Sequence, residues 1–588
     1  MNESTLRAYY QDELRALRRE GALFAKRYGD IAPALGLDWG ENTDPMVERL
    51  VECMAWFSAR LRQDSEARMP LAAQQILGLL YPSFACPIPS IGIVSFRPGP
   101  EYARKKPEGS FIPPGTSLHC IDGDGRAIRW RTAWQVHLHG VEVEGAEFID
   151  GARHGLGGAA RYFCFSTRGR ARHPRFRLFL RGDPYTTYRL HELVHAGCVD
   201  VTAVGAGRKT RLDRSALRPA GLDEDALVLP GSRYAYPAYQ LAQEYFVCPE
   251  RFLFWDLDLS GVDWEGDVTI CLGLRAPPPE NLDLSFMVFD PCATPVVNLF
   301  ETLAEPIRVD HTRHRHPLDA DRARPDEVEV HSVLEVEAIR PGAGAVRVSE
   351  YFHGRVLGAD SGTSEGDDLR WYSRVRPNPV GRGTVTEMYF KNTSGDYATP
   401  FVAAVRVLCT NRGRAEALGA ATDLAADDSL DTDDIRMERP PSPQWEPAMF
   451  GDELWRLVSA ITLHQRSLAG PNGVDALADV LSLYAPPGHN GARAQIAGIC
   501  RLSCEEAVEV LRPTRKMPLG GVVRGQDYSV YLDREAFRLS SAFIFSSVLD
   551  RFLNLYCGIG GFSRLAVYMG SGSEPYCEWP ARAGGRLL

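Results

Sequence analysis

No run of about 18 consecutive apolar residues occurs in this 588-residue chain, so nothing in it reads as a membrane-spanning helix. The opening, MNESTLRAYYQDELRALRRE, is too charged for the apolar centre of a signal peptide, which implies a cytoplasmic protein. A disulfide framework is also missing. The 13 cysteines are scattered, the closest two being Cys500 and Cys504, and none forms a paired zinc-knuckle pattern, so most are expected to be buried thiols. There is no basic excess either. With 76 acidic against 66 basic residues the net charge is −10, which disfavours a general affinity for nucleic acid or an anionic membrane and favours protein partners. No GxSxG elbow, CxxC pair, dinucleotide fingerprint or internal repeat is found, so no cofactor is implied. The segment VTAVGAGRKT, Val201 to Thr210, fails the phosphate-loop spacing because Gly207 is followed by Arg208, and it reads as a turn.

What is present is an ordinary globular composition, 44% hydrophobic and 24% charged, in a chain long enough for several domains. Leu6, Tyr10, Leu14, Leu17, Phe24 and Tyr28 recur at helical spacing among arginines and lysine, which predicts a one-faced amphipathic helix. A second helix starts at Asp44-Pro45 and runs to about Met69 through Met46, Val47, Leu50, Val51, Met54, Phe57 and Leu61. Its polar stripe holds Arg49, Glu52, Arg60 and Gln63, and Trp56 lies on that stripe. Two helices cannot bury this much apolar surface against each other, which makes assembly the first hypothesis. Leu50, Trp56 and Phe57 are the candidate interface residues there, with Trp56 as the anchor and Phe57 on the buried side.

Beyond residue 90 the pattern turns extended. Strands are expected at Ile91 to Phe96, Tyr162 to Phe165, Phe176 to Leu180, Val199 to Val204, Phe252 to Leu259, Val268 to Leu274 and Leu284 to Phe289, with a helical insert from Thr187 to Ala196. The fold class read from this is α+β and multidomain. It comprises an N-terminal helical hairpin (1–90), a mainly β body (91–330), a mixed β segment (331–421), an acidic, proline-rich linker (422–447) and a C-terminal α/β domain (448–588). In the last, Trp455 to Leu468, Leu477 to Leu483 and Ala542 to Tyr556 read as helices.

One motif argues for an enzyme. His191-Glu192-Leu193-Val194-His195 is HExxH, which on a helix places two imidazoles one turn apart for zinc with the glutamate as general base. No third ligand follows at a familiar spacing, and Leu190, Leu193 and Val194 define the buried face, leaving both histidines at its border. His311, His314 and His316 have ligand-like spacing, but Arg313 and Arg315 alternate with them, and the tract reads as a solvated loop. The strongest basic cluster, Arg168 to Arg181, alternates as a strand with one solvated face. Between Pro295 and Pro306 the apolar Val297, Leu299 and Phe300, with Asn298, form either a core corner or a docking edge.

Several blocks carry a resemblance: YYQDELRALRREGALFAKRYGDIAPAL, DPMVERLVECMAWFSARL, ILGLLYPSFACPIPSIGIVSF, EYFVCPERFLFWDL, TPVVNLFETLAEPIRVD, CTNR, WRLVSAITLHQRSL and FIFSSVLDRFLNLYCGIGGFSRL. Together, nearly end to end, they resemble the TssF family, also called ImpG or VasA, of the bacterial type VI secretion baseplate. The resemblance implies a structural wedge subunit that assembles with TssG, a further TssF copy, TssK and TssE into the platform for sheath and tube, docked at the inner membrane through the assembled system. Two other readings stand beside it: a zinc metallopeptidase through HELVH, and a wedge or tail protein of a phage-derived contractile particle.

Overall fold

A computed structural model describes residues 3–32, 45–80, 86–99, 101–106, 108–169, 175–205, 208–231, 236–260, 262, 267–279, 281–342, 344–351, 369–378, 383–392, 399–446, 468, 470, 472–486, 488–511, 521–557 and 561–584. Two compact units are resolved: Met1–Gly78 with Met449–Val458, and Leu79–Ala448 with Ser459–Leu588. The first holds the helices α1, Glu3–Arg27, and α2, Pro45–Leu80, the latter longer than its periodicity predicts.

The second unit is built from β-sheets, and the class is α+β. A six-stranded sheet runs in the order Ala425–Ala426, Ser117–Ile121, Ala127–Thr132, Ala293–Val297, Ile91–Arg97, Asp434–Met437. Its core gathers Val94, Phe96, Leu118, Ile128, Trp130 and Val296. A five-stranded sheet centred on Val268–Leu274 packs on a four-stranded one centred on Phe254–Asp258 and Arg175–Arg181. Aromatic rings join their faces: Phe165 stacks on Phe289 at 5.5 Å, and Phe163 meets Trp255 edge-on at 6.2 Å. A further sandwich pairs the sheet of Glu329–Ile339 and Phe401–Thr410 with that of Leu369–Pro377 and Thr384–Asn392, around Val336, Ala338, Trp371, Met388 and Val405. The expected strand from Leu284 to Phe289 is mostly a turn, because Asp283 accepts from both the backbone N–H and the hydroxyl of Ser285, and only Val288–Asp290 is extended.

The acidic tract is not a linker. Asp434–Met437 pairs antiparallel with Ile91–Arg97, placing Met437 opposite Val94 and Ile435 opposite Phe96, and Leu424, Ile435 and Met437 are core residues. Glu438 is buried between Arg181 at 3.0 Å and Arg97 at 3.4 Å. Further on, Gln444 donates to Glu329 at 2.7 Å and Trp445 bridges to Ile88. A count of aspartates misses this because Ile435 and Met437 alternate with Asp434 and Arg436, so the charged residues face out while the apolar residues face in. The expected boundary at 330 likewise falls inside the strand Glu329–Ile339. Nor do the described residues beyond 458 form a separate domain. The helix Ala542–Leu553, capped by Ser541, packs on the helices Pro184–Gly197 and Pro237–Val247, and Tyr484 stacks on Tyr239 at 5.5 Å. Apart from Leu468, the expected helix from Trp455 to Leu468 lies outside the described residues.

A buried ion pair fastens the middle of this unit. Glu244, near the end of the helix Pro237–Val247, and Arg251, in the turn that follows, are both fully buried and lie 2.8 Å apart. Glu244 also accepts from Val228 N, Leu229 N and the Gln240 amide, while Arg251 donates to the carbonyls of Gly221 and Ala226. These two residues belong to the block EYFVCPERFLFWDL, in which Glu244 and Arg251 therefore serve the core.

Candidate assembly surface

The hairpin of α1 and α2 is antiparallel, clasped by ion pairs from Arg18 to Glu48 at 2.8 Å and from Arg62 to Glu13 at 3.3 Å, with the Arg62 guanidinium over the Tyr9 ring. Among the described side chains of α2 the fully buried ones are Ala55 and Ala59, one turn apart, with Val47 and Val51 half-buried. Alanine has no atom beyond Cβ, so this line of the helix admits close packing, and the large side chains lie on other faces. Met46, Leu50, Met54, Phe57 and Leu61, spaced four, four, three and four residues apart, form one exposed stripe in which Leu50 is 65% and Phe57 59% exposed. Phe57 is therefore corrected from the buried side to the exposed side. Trp56 is 40% exposed, with the Arg60 guanidinium 5.3 Å from its ring and Phe57 edge-on at 5.4 Å.

The second group of candidates is different. Val297, Asn298 and Leu299 are buried within their own chain, and Phe300 is half-buried beneath the Arg129 guanidinium at 5.2 Å. They form a core corner. The Asn298 side chain does not bind local backbone as its position suggests. It donates to Arg129 O at 2.7 Å and to the Asn411 side chain at 3.0 Å, and accepts from Asn411 N at 2.8 Å. Two of the recognisable blocks, TPVVNLF and CTNR, are thus clipped together across 113 residues of sequence.

A model of the family "Type VI secretion system, TssF" matches residues 1–586. The chain belongs to the TssF family. A Pseudomonas aeruginosa protein described as type VI secretion system component TssF1 is 29% identical to it over 98% of each chain. A chain of the type VI secretion TssK-TssF-TssG baseplate subcomplex shares its fold with a TM-score of 0.73 and 21% identity, over 92% of this chain and 99% of that one. A chain of the type VI baseplate complex matches with a TM-score of 0.57 and 19% identity, over 99% and 100%. Among the described residues no helix is long and apolar enough to cross a membrane.

In this TssF-family chain the HELVH residues sit on the helix Pro184–Gly197, whose N-cap Asp183 accepts from Thr186 N. Both histidines are buried, which corrects the expectation that they border the buried face, while Leu193 is only half-buried. The reason is a second covering layer: Phe543, from the helix Ala542–Leu553, stacks on His195 at 5.8 Å, and Trp255 meets His195 edge-on at 5.6 Å. Glu192 accepts from the Tyr576 hydroxyl at 2.6 Å and from Arg189 at 3.1 Å, and burial pushes its pKa up. Among the described residues no three of His, Cys, Asp and Glu are grouped to hold a metal ion.

Burial holds His191 down to about 3 and, with His191 and Arg214 adding to it, pushes His195 well below the ordinary value. Unfolded, both rings bind a proton near pH 6.5; folded, they resist it. Their contribution to stability is full above pH 6.5 and falls by about 1.4 kcal/mol per pH unit for each ring as the pH drops below that value. Glu192, with its raised folded value, works in the opposite sense. Urea unfolding of the parent and of His191→Gln/His195→Gln between pH 6.5 and about 4.5 is expected to give a slope shallower by roughly 2.7 kcal/mol per unit in the variant. Equal slopes would show that these rings are not the acid-labile groups.

Proposed function

We propose that this chain is a structural, non-enzymatic subunit of the type VI secretion baseplate, built into a wedge with TssG and TssK through the exposed stripe of α2. The carrying observation is that stripe: five large apolar side chains in one exposed line on a helix whose buried described side chains are alanines. A row of this kind is unfavourable in water and has the spacing of a helix that docks into a groove. The fold shared with a chain of a TssK-TssF-TssG baseplate subcomplex supports the same partners. In this reading TssE and a second copy of the chain complete the wedge, the site of action is the cytoplasmic face of the inner membrane, and HELVH serves the core.

Co-purification and titration with TssG test the reading. Trp56→Ala and Phe57→Ala are each expected to weaken binding by about 2 kcal/mol or more while leaving the unfolding of the free chain nearly unchanged. If both variants hold TssG with parental affinity, the assembly surface lies elsewhere.

A further inference from the structure

Among the described residues, the outward face of the four-stranded sheet in the second sandwich carries more basic than acidic side chains. Leu369, Trp371 and Met388 point into the core, so the alternate residues point out. In register along that face, Arg370 stands opposite Lys391, Tyr372 opposite Tyr389, Arg374 opposite Glu387 and Arg376 opposite Val385. Glu387 is approached by Arg376 at 3.1 Å and by Arg315 at 3.8 Å, so with Arg374 three guanidinium groups surround one carboxylate. Burial and the neighbouring Arg376 both hold the Arg374 pKa below its usual value.

The basic strand Arg175–Arg181 shows what a balanced face looks like here. Arg175 stands opposite Asp258 and bonds it at 3.0 Å; Arg177 stands opposite Asp256 and bonds it twice, at 2.6 and 2.8 Å. There the strand pairing supplies an acid for Arg175 and for Arg177, while Arg181 stands opposite Val288 and meets Glu438 instead. On the Arg374 face the pairing supplies Glu387 opposite Arg374 and a valine opposite Arg376, so one carboxylate serves both guanidinium groups.

We propose that this face docks an acidic, extended segment of a protein partner. Arg374 and Arg376 are alternate residues of one strand, about 6.6–6.8 Å apart, which is the spacing of alternate side chains in an extended peptide. Carboxylates at every second position meet both guanidinium groups, which are suited to paired bonds with carboxylates. A single-stranded nucleic acid fits less well. Tyr372 and Tyr389 stack on each other at 4.7 Å with ring planes 5° apart, presenting edges rather than a platform for bases, and the chain's net charge of −10 opposes a long polyanion. The inference does not depend on the role of the α2 stripe.

The test uses the full chain and a labelled eight-residue peptide of alternating glutamate and serine, followed by anisotropy at low salt. Saturable binding that weakens with added salt is expected, with a loss of about tenfold or more in Arg374→Gln/Arg376→Gln. Arg308→Gln/Arg322→Gln, at exposed positions outside this face, is expected to bind as the parent does. Should the first variant melt at a lower temperature than the parent, the charge-keeping pair Arg374→Lys/Arg376→Lys decides, with recovered binding supporting the proposal and continued loss overturning it. Absence of saturable binding, or equal losses in the two glutamine variants, also overturns it. So does a single-stranded oligonucleotide of the same charge that binds as tightly and with the same dependence on Arg374 and Arg376.

Discussion

Arg251→Leu is expected to lower the unfolding free energy by about 3–5 kcal/mol, because it strands a buried carboxylate. Glu244 is fully buried, and its oxygens are held by two backbone N–H groups and the Gln240 amide as well as by the guanidinium. Those three donors are neutral. They satisfy lone pairs but do not replace the opposite charge, so the carboxylate must either remain ionised in an apolar setting or take a proton. The carbonyls of Gly221 and Ala226 lose a donor at the same time. Glu244→Gln should cost a comparable amount from the other side, leaving the guanidinium uncompensated. The double variant Glu244→Gln/Arg251→Leu should be less destabilised than the sum of the singles, since neither charge is left alone. Urea unfolding of the four proteins measures this; strict additivity, or a single-variant cost below about 1 kcal/mol, would falsify the pairing as the source of stability.

Asn298→Ala is expected to cost about 1–3 kcal/mol for each of the two groups it strands, Arg129 O and Asn411 N. Asn411 Oδ1 keeps a donor, since it also accepts from Arg129 N at 2.9 Å. Asn298→Asp should be at least as harmful as the alanine variant. Its carboxylate still accepts from Asn411 N, but it cannot donate to Arg129 O, and it brings an unpaired charge into a fully buried site. Thermal unfolding compares the two. A milder effect for aspartate would mean that water reaches the corner and that the Asn298–Asn411 clip is not a buried element.

Much of the architecture was legible in the residues. The helical spacing of Leu14, Leu17 and Phe24, and of Leu50, Met54 and Phe57, predicts α1 and α2, and the punctuated apolar runs predict the strands Arg161–Arg168, Arg175–Arg181, Cys198–Gly205 and Val268–Leu274 within a residue or a few of where they lie. These signals are local: a 3.6-residue or 2-residue period needs only neighbours along the chain. The ordered blocks from the first helix to FSRL were specific enough to point to the TssF family, which the match over residues 1–586 bears out.

What covers each face was decided in three dimensions. Periodicity says that α2 has apolar residues on several sides; only the tertiary structure buried Ala55 and Ala59 and left Phe57 outside, and close helix packing favours small side chains. The helix of His191 and His195 looked one-faced until Phe543, more than three hundred residues away, closed over it. The aspartate-rich tract looked like a linker until its Ile435 and Met437 found Phe96 and Val94 across a sheet. In each case the segment has two faces, which its own sequence does not assign to core or surface. The partner that buries one of them comes from a distant part of the chain, and burial, pairing and charge balance are properties of the contact rather than of either segment alone.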